Sequence, residues 1–174
     1  IENEAREAGI TGFISKPLFK STLFYGLKQY ISGADSADDN TSSKKQVNLE
    51  GKKLLVAEDN DLNWEIAELL LEDAGLEVER AENGEICIDM LRKAKPGTYD
   101  AILMDLRMPV MGGIEATTAI RNSDIPDKDL PIIAMTADAF SDDIKKCIDC
   151  GMNAHIAKPI DIDTVKSTLL KFLV

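Results

Sequence analysis

From residue 54 onward, apolar runs of strand length alternate with stretches of helical periodicity, and this alternation limits the fold more than any other feature. Leu54–Ala57, Ala101–Met104 and Pro131–Met135 are too short for helices and apolar throughout, as strands buried on both faces are. Glu77–Ala81 alternates with charge and is predicted as an edge strand, and Ala154–Ala157 as a short fifth strand. In the first helix Leu62, Ile66, Leu69 and Leu70 are expected to share the inward face, with Asn60 or Asp61 as cap and Gly75 as terminator. Ile86, Met90 and Leu91 mark the second helix, stopped by Pro96-Gly97. A later helix is expected from about Ala139 to Gly151, and Val165, Leu169 and Phe172 should face inward from the last. Strands that each feed a helix build a parallel sheet covered on both sides, with right-handed crossovers. The predicted class is α/β, a doubly wound five-stranded sheet of order 2-1-3-4-5, with ligands at the carboxyl ends of the strands.

The polar residues that interrupt the apolar runs fall at those carboxyl ends: Glu58 and Asp59 after the first strand, Asp105 after the third, Thr136 after the fourth and Lys158 after the fifth. Alone, an acidic residue at a strand end is ordinarily a helix cap or a solvated loop residue. Converging on one sheet edge, the set describes a site. Three carboxylates packed together repel unless a cation neutralises them, and oxygen ligands in a shallow hydrated cleft suit magnesium. A lysine offers a point charge to a phosphoryl oxygen and a threonine hydroxyl can donate to another.

Glu58-Asp59-Asn60, Met104-Asp105-Leu106-Arg107-Met108-Pro109, Met135-Thr136-Ala137 and Ala157-Lys158-Pro159 resemble the motifs of two-component response regulator receiver domains, in the same order and spacing, over residues 51 to 174. The resemblance implies a flavodoxin-like receiver fold in which Asp105 accepts a phosphoryl group from a phosphohistidine and the acyl phosphate is later hydrolysed, both steps catalysed by the domain itself. It implies a magnesium site of Glu58, Asp59, Asp105 and the backbone carbonyl of Arg107, with Asp59 the more direct ligand of the acidic pair. Thr136 and Lys158 would contact the phosphoryl group, and the donor would be a histidine kinase or a histidine phosphotransfer domain. Pro109 and Gly112-Gly113 resemble the family's loop after the acceptor, and Ala137 its small access position. His155 departs from the pattern: it stands where the family commonly has a Tyr or Phe that rotates as the threonine moves. It is expected in a short buried strand and is assigned to the switch together with Thr136.

Two other functions compete. The domain could be an unphosphorylated docking module that keeps the fold, although every residue the chemistry requires is present. A flavin or nucleotide binder on the same sheet would need a glycine-rich loop after Val56, which is missing. Cys147-x-x-Cys150 with His155 invites a zinc or redox reading, but the pair lies on a predicted helix with Cys87 remote, so structural thiols are expected. Trp64, two residues past Leu62, is expected to be partly solvated, either as a docking anchor or lying on its own helix. A formal charge of −11 repels a nucleic-acid backbone, and no apolar run is long enough to span a membrane. Direct contact with nucleic acid or membrane is therefore not expected, and the location is read as cytoplasmic.

Residues 1 to 32 align without gaps on residues 143 to 174, matching Gly9 with Gly151, Lys16 with Lys158, Pro17 with Pro159 and Leu27 with Leu169. They are expected to be the tail of a preceding receiver without its acidic pair or acceptor, with Leu23, Leu27, Tyr30 and Ile31 forming an apolar face that needs another surface. Residues 33–50, rich in Ser, Asp, Asn and Lys, read as a flexible linker, and 51–174 as an intact receiver. The chain opens at Ile1, without a methionine and inside a helical pattern, so a larger parent is expected. Two tandem receivers resemble the carboxyl-terminal part of a hybrid sensor histidine kinase whose kinase domain lies outside this stretch. A homodimer through the fourth and fifth helices is left open.

Overall fold

The computed structural model describes residues 49–137 and 141–173, with backbone only at 141 and 142. All lie in the second of the two units into which the chain divides, Lys45–Val174. The repeat at residues 1 to 32, the linker up to Asn48 and the beginning of the helix expected from Ala139 lie outside the described residues.

Five parallel strands, β1 (Lys53–Ala57), β2 (Glu77–Ala81), β3 (Ala101–Asp105), β4 (Ile132–Thr136) and β5 (Ala154–Ala157), form one sheet of order β2-β1-β3-β4-β5, as predicted. Among the described residues they alternate with α1 (Asp61–Asp73), α2 (Gly84–Lys93), α3 (Gly113–Arg121), α4 (Ser141–Asp149) and α5 (Ile162–Leu173). Because successive side chains leave a strand on opposite faces, β3 splits its residues: Ile102 and Met104 pack under α2, α3 and α4, while Ala101 and Leu103 pack under α1 and α5. Every residue of β3 and β4 is buried, which is why both read as unbroken apolar runs. A fully buried Leu or Ile in these layers contributes about 2 kcal/mol relative to exposure.

Asn60 caps α1 by accepting a hydrogen bond from the Asn63 amide at 3.0 Å. At the other end Gly75 takes φ +85, which a side chain would resist, and the Leu76 and Gly75 amides donate to Leu71 and Glu72 carbonyls at 3.1 and 2.9 Å. Gly113 serves close approach instead: a Cβ there would lie 2.2 Å from the Asp105 carbonyl oxygen, so the absent side chain lets α3 begin against the end of β3.

Several facing assignments differ from expectation. The buried stripe of α1 is Ala67 and Leu71, flanked by half-buried Trp64 and Ala74, whereas Leu62, Ile66 and Leu69 are 64%, 47% and 70% exposed and Leu70 is half-buried. The helix is apolar on more than one side, so periodicity alone does not choose the buried stripe. In α2 the buried residues are Gly84, Cys87, Ile88 and Leu91, leaving Ile86 exposed and Met90 at the margin. In α5 Val165, Thr168 and Leu169 are buried with Leu173 packed beside them, while Phe172 is only half-buried. Leu49 is buried in the core, so the folded domain begins inside the segment read as linker. His155 is exposed, because β5 is the outer strand and its Ile156 takes the inward face.

Candidate functional site

The acidic cleft lies where β1 and β3 end side by side. Glu58 and Asp59 leave β1, Asp105 closes β3, and carboxylate oxygens from the three lie within 4.8 Å of one another. Their surroundings differ. Glu58 is 1% exposed and Asp105 8%, while Asp59 is exposed. Glu58 is held at one oxygen by the Asn63 amide group at 2.9 Å and the Asn60 backbone amide at 3.3 Å. Its other oxygen accepts from Lys158 Nζ at 2.5 Å.

Lys158 also donates to Asp105 Oδ2 at 2.6 Å, and the Arg107 amide donates to Asp105 Oδ1 at 3.2 Å. The lysine is placed from β4: its own amide donates to the Thr136 carbonyl at 2.8 Å, and a cis peptide joins it to Pro159. Thr136 is buried at the end of β4, so all five predicted polar positions occupy the same edge of the sheet. His155, two residues before the end of β5, is exposed.

Burial raises the pKa of Asp105, and the hydrogen bonds from Lys158 and the Arg107 amide, with the lysine's charge, oppose this without cancelling it. For Lys158 burial acts downward, but the bonds to Asp105 and Glu58 and their charges outweigh it, so its pKa is raised. The lysine holds its proton firmly, while Asp105 ionises less readily than an ordinary aspartate. Three carboxylates facing one ammonium leave two negative charges in the cleft, and the donor set is oxygen only. A hard divalent cation fits that arrangement.

The loop that follows carries Val110 at φ +67, with the Met111 amide donating to the Pro109 carbonyl at 2.7 Å. That tight three-residue turn is strained for a β-branched residue. Gly112 precedes α3 as its cap.

Two contributors were not foreseen from sequence. Asn63 could have been suspected from its place one turn beyond Glu58, but Arg80 carried no signal beyond charge alternation in β2. Its guanidinium donates to the carbonyls of both Glu58 and Asp59. Elsewhere, Cys147 is buried in the core with Cys150 packed against it, and burial raises both thiol pKa values. Cys87, also buried, is pushed up to about 12 by burial. Trp64 is half-buried against the core, with the Arg80 guanidinium 6.0 Å from its ring centre. No helix among the described residues is long and apolar enough to cross a membrane.

A family model described as the response regulator receiver domain matches residues 54–170. Histidine kinase 1 of Arabidopsis thaliana is 35% identical over 160 residues, an alignment covering 73% of this chain and 13% of that protein. The receiver domain of a sensor histidine kinase from Pseudomonas aeruginosa, solved with a magnesium ion coordinated in its active site cleft, is 34% identical. It superposes with a TM-score of 0.63, covering 71% of this chain and 98% of its own. A chain of the co-crystal structure of the Saccharomyces cerevisiae histidine phosphotransfer protein Ypd1 and the receiver domain of its downstream response regulator Ssk1 is 26% identical, with a TM-score of 0.62 and coverage of 71% and 90%. This chain thus spans a small fraction of the curated histidine kinases it matches and nearly the whole of the solved receivers. Sheet order, acidic cleft and a match over residues 54–170 together make the chain a member of the response regulator receiver domain family, the receiving module of two-component phosphorelays.

Proposed function

We propose that Asp105 is the acceptor in a histidine-to-aspartate phosphorelay. The observation that carries this reading is the pairing of a buried, desolvated Asp105 with Lys158 Nζ at 2.6 Å, at the edge of the sheet open to a donor. An Asp105 carboxylate oxygen attacks the phosphorus of a phosphohistidine, the P–N bond breaks, and the imidazole leaves with a proton from solvent. Water later attacks the acyl phosphate, releasing inorganic phosphate and restoring the carboxylate. Lys158 holds the carboxylate in place and is positioned to follow the phosphoryl oxygens, and the Thr136 hydroxyl would donate to another of them. Glu58, Asp59, Asp105 and the Arg107 carbonyl would hold magnesium, which supplies charge neutralisation to the carboxylates and the phosphoryl group.

The donor would be a histidine kinase or histidine phosphotransfer domain. Leu62, Ile66 and Leu69 offer it an apolar surface on the helix that begins at the acidic loop. Exposed His155, adjacent in the sheet to Ala134, would move with Thr136 as the switch. The similarity to histidine kinases supports a hybrid kinase parent and a cytoplasmic location for this module.

The test is intact mass after incubation with magnesium and acetyl phosphate. One added phosphoryl group is expected in the native chain and none in Asp105→Asn. Absence of a gain with every donor, including a phosphorylated histidine phosphotransfer domain, would leave the docking-module reading.

A further inference from the structure

Of the three carboxylates in the cleft, two are fixed by their surroundings. Glu58 and Asp105 are buried and tied to Lys158, and each takes a further hydrogen bond. Asp59 is exposed, so packing does not hold it. Its backbone is held from outside the cleft. Arg80, in register with Val56 on the edge strand β2, sends its side chain across the end of β1. Its Nε donates to the Glu58 carbonyl at 3.0 Å and its Nη2 to the Asp59 carbonyl at 3.1 Å.

Those two carbonyls belong to the peptide planes on either side of Asp59. Pinning both planes restricts the two dihedral angles between them and so the direction in which the Asp59 side chain leaves the backbone. Arg80 is held in turn: its Nη2 lies 2.9 Å from Asp61 Oδ1, and its guanidinium carbon lies 6.0 Å from the Trp64 ring centre, within reach of a cation–π contact. One rigid fork therefore joins the acidic loop to the first turn of α1. A lysine, with a single donor nitrogen on a flexible stem, cannot reproduce the two bonds of a planar fork.

We propose that Arg80 is a positioning residue for the cation site, acting through the backbone of Asp59 and not through its charge. The inference rests on Glu58, Asp59 and Asp105 being that site. Charge and positioning predict opposite signs. As a nearby cation Arg80 repels a divalent ion, so removing only that effect would tighten binding. Losing the clamp frees the Asp59 carboxylate and weakens it.

Calorimetric titration of the full 174-residue chain with magnesium chloride, without any phosphodonor, separates the two. Arg80→Lys keeps the charge and loses the fork, whereas Arg80→Met loses both and retains the apolar stem. Both are expected to bind magnesium about tenfold more weakly, as when outer-shell supports of metal ligands are removed. Thermal unfolding confirms that each is folded, and Asp59→Asn serves as the control that loses most of the affinity. Unchanged affinity in Arg80→Lys with tighter binding in Arg80→Met would overturn the proposal while leaving the cation site standing. Unchanged affinity in Asp59→Asn would overturn the site assignment and this inference with it.

Discussion

The two ends of the sheet carry charge in opposite ways. Near its amino end the charges are matched one to one: Lys52 meets Asp100 at 2.7 Å and Lys53 meets Glu79 at 2.6 Å, with the buried Tyr99 hydroxyl donating to the other Glu79 oxygen. The Lys53 hydrogen bond, then that of Tyr99, holds the Glu79 carboxyl below its usual range. At the carboxyl end three carboxylates converge and one lysine bonds two of them, Glu58 and Asp105, while burial pushes the Asp105 pKa up. A matched end is finished by folding alone. An unmatched end keeps an excess of negative charge that a bound cation would offset.

Replacing the cation at each end is the largest test of this contrast. Lys158→Met leaves two buried carboxylates without their counter-ion and should cost about 3 kcal/mol in metal-free protein. Lys53→Met breaks a pair whose members are partly solvated and should cost about 0.5 kcal/mol. Chemical denaturation of both variants in EDTA measures the difference. Equal losses would mean that the lysine at the cleft is not the special one.

Asp105→Asn should act in the opposite direction, raising metal-free stability at neutral pH. A carboxyl whose folded pKa lies above its unfolded value binds more protons when folded. Its favourable contribution is present below the unfolded pKa and is lost as pH rises through the folded one. Lys158 keeps Glu58 as its partner in this variant, so no cation is stranded. Denaturation midpoints between pH 4 and 8 (approximate limits set by the carboxylate range) should fall less steeply with rising pH in Asp105→Asn than in the native chain. A variant less stable than the native chain across that range would refute the picture of an Asp105 carboxylate destabilised by burial.

An effect as small as that of Lys53→Met is expected from Glu79→Gln. Glu79 has a lowered pKa, so its contribution is present above the unfolded value of 4.5 and is lost as pH falls through the folded one. Its removal should cost about 0.5 kcal/mol at neutral pH, since the pair with Lys53 is partly solvated, and should flatten the acid limb of the stability curve. The two ends then carry pH slopes of opposite sign, and the paired variants read each slope separately.

The strands and the cleft were legible in the sequence for the same reason. A strand buried on both faces must be apolar throughout, so the residue that ends the run announces itself, as Glu58 and Asp105 do. Facing within helices was less legible. Leu62, Ile66 and Leu69 match an inward stripe as well as Trp64, Ala67 and Leu71 do, and periodicity cannot tell a core face from an apolar surface kept for a partner. The exposure of His155 depended on β5 being outermost, with Ile156 already committed inward. The hold of Arg80 on the acidic loop was invisible because the groups it bonds there are backbone carbonyls, which every residue has.

The hydrogen bond between Lys158 and Glu58 closes a sequence separation of 100 residues. During synthesis Glu58 leaves the ribosome 100 residues ahead of Lys158, so for that interval the growing chain carries carboxylates of the cleft without the lysine that bonds two of them. The cleft can therefore be completed only once the fifth strand has been made. A chain cut before Lys158 would retain Asp105 yet lack the ammonium group that bonds it.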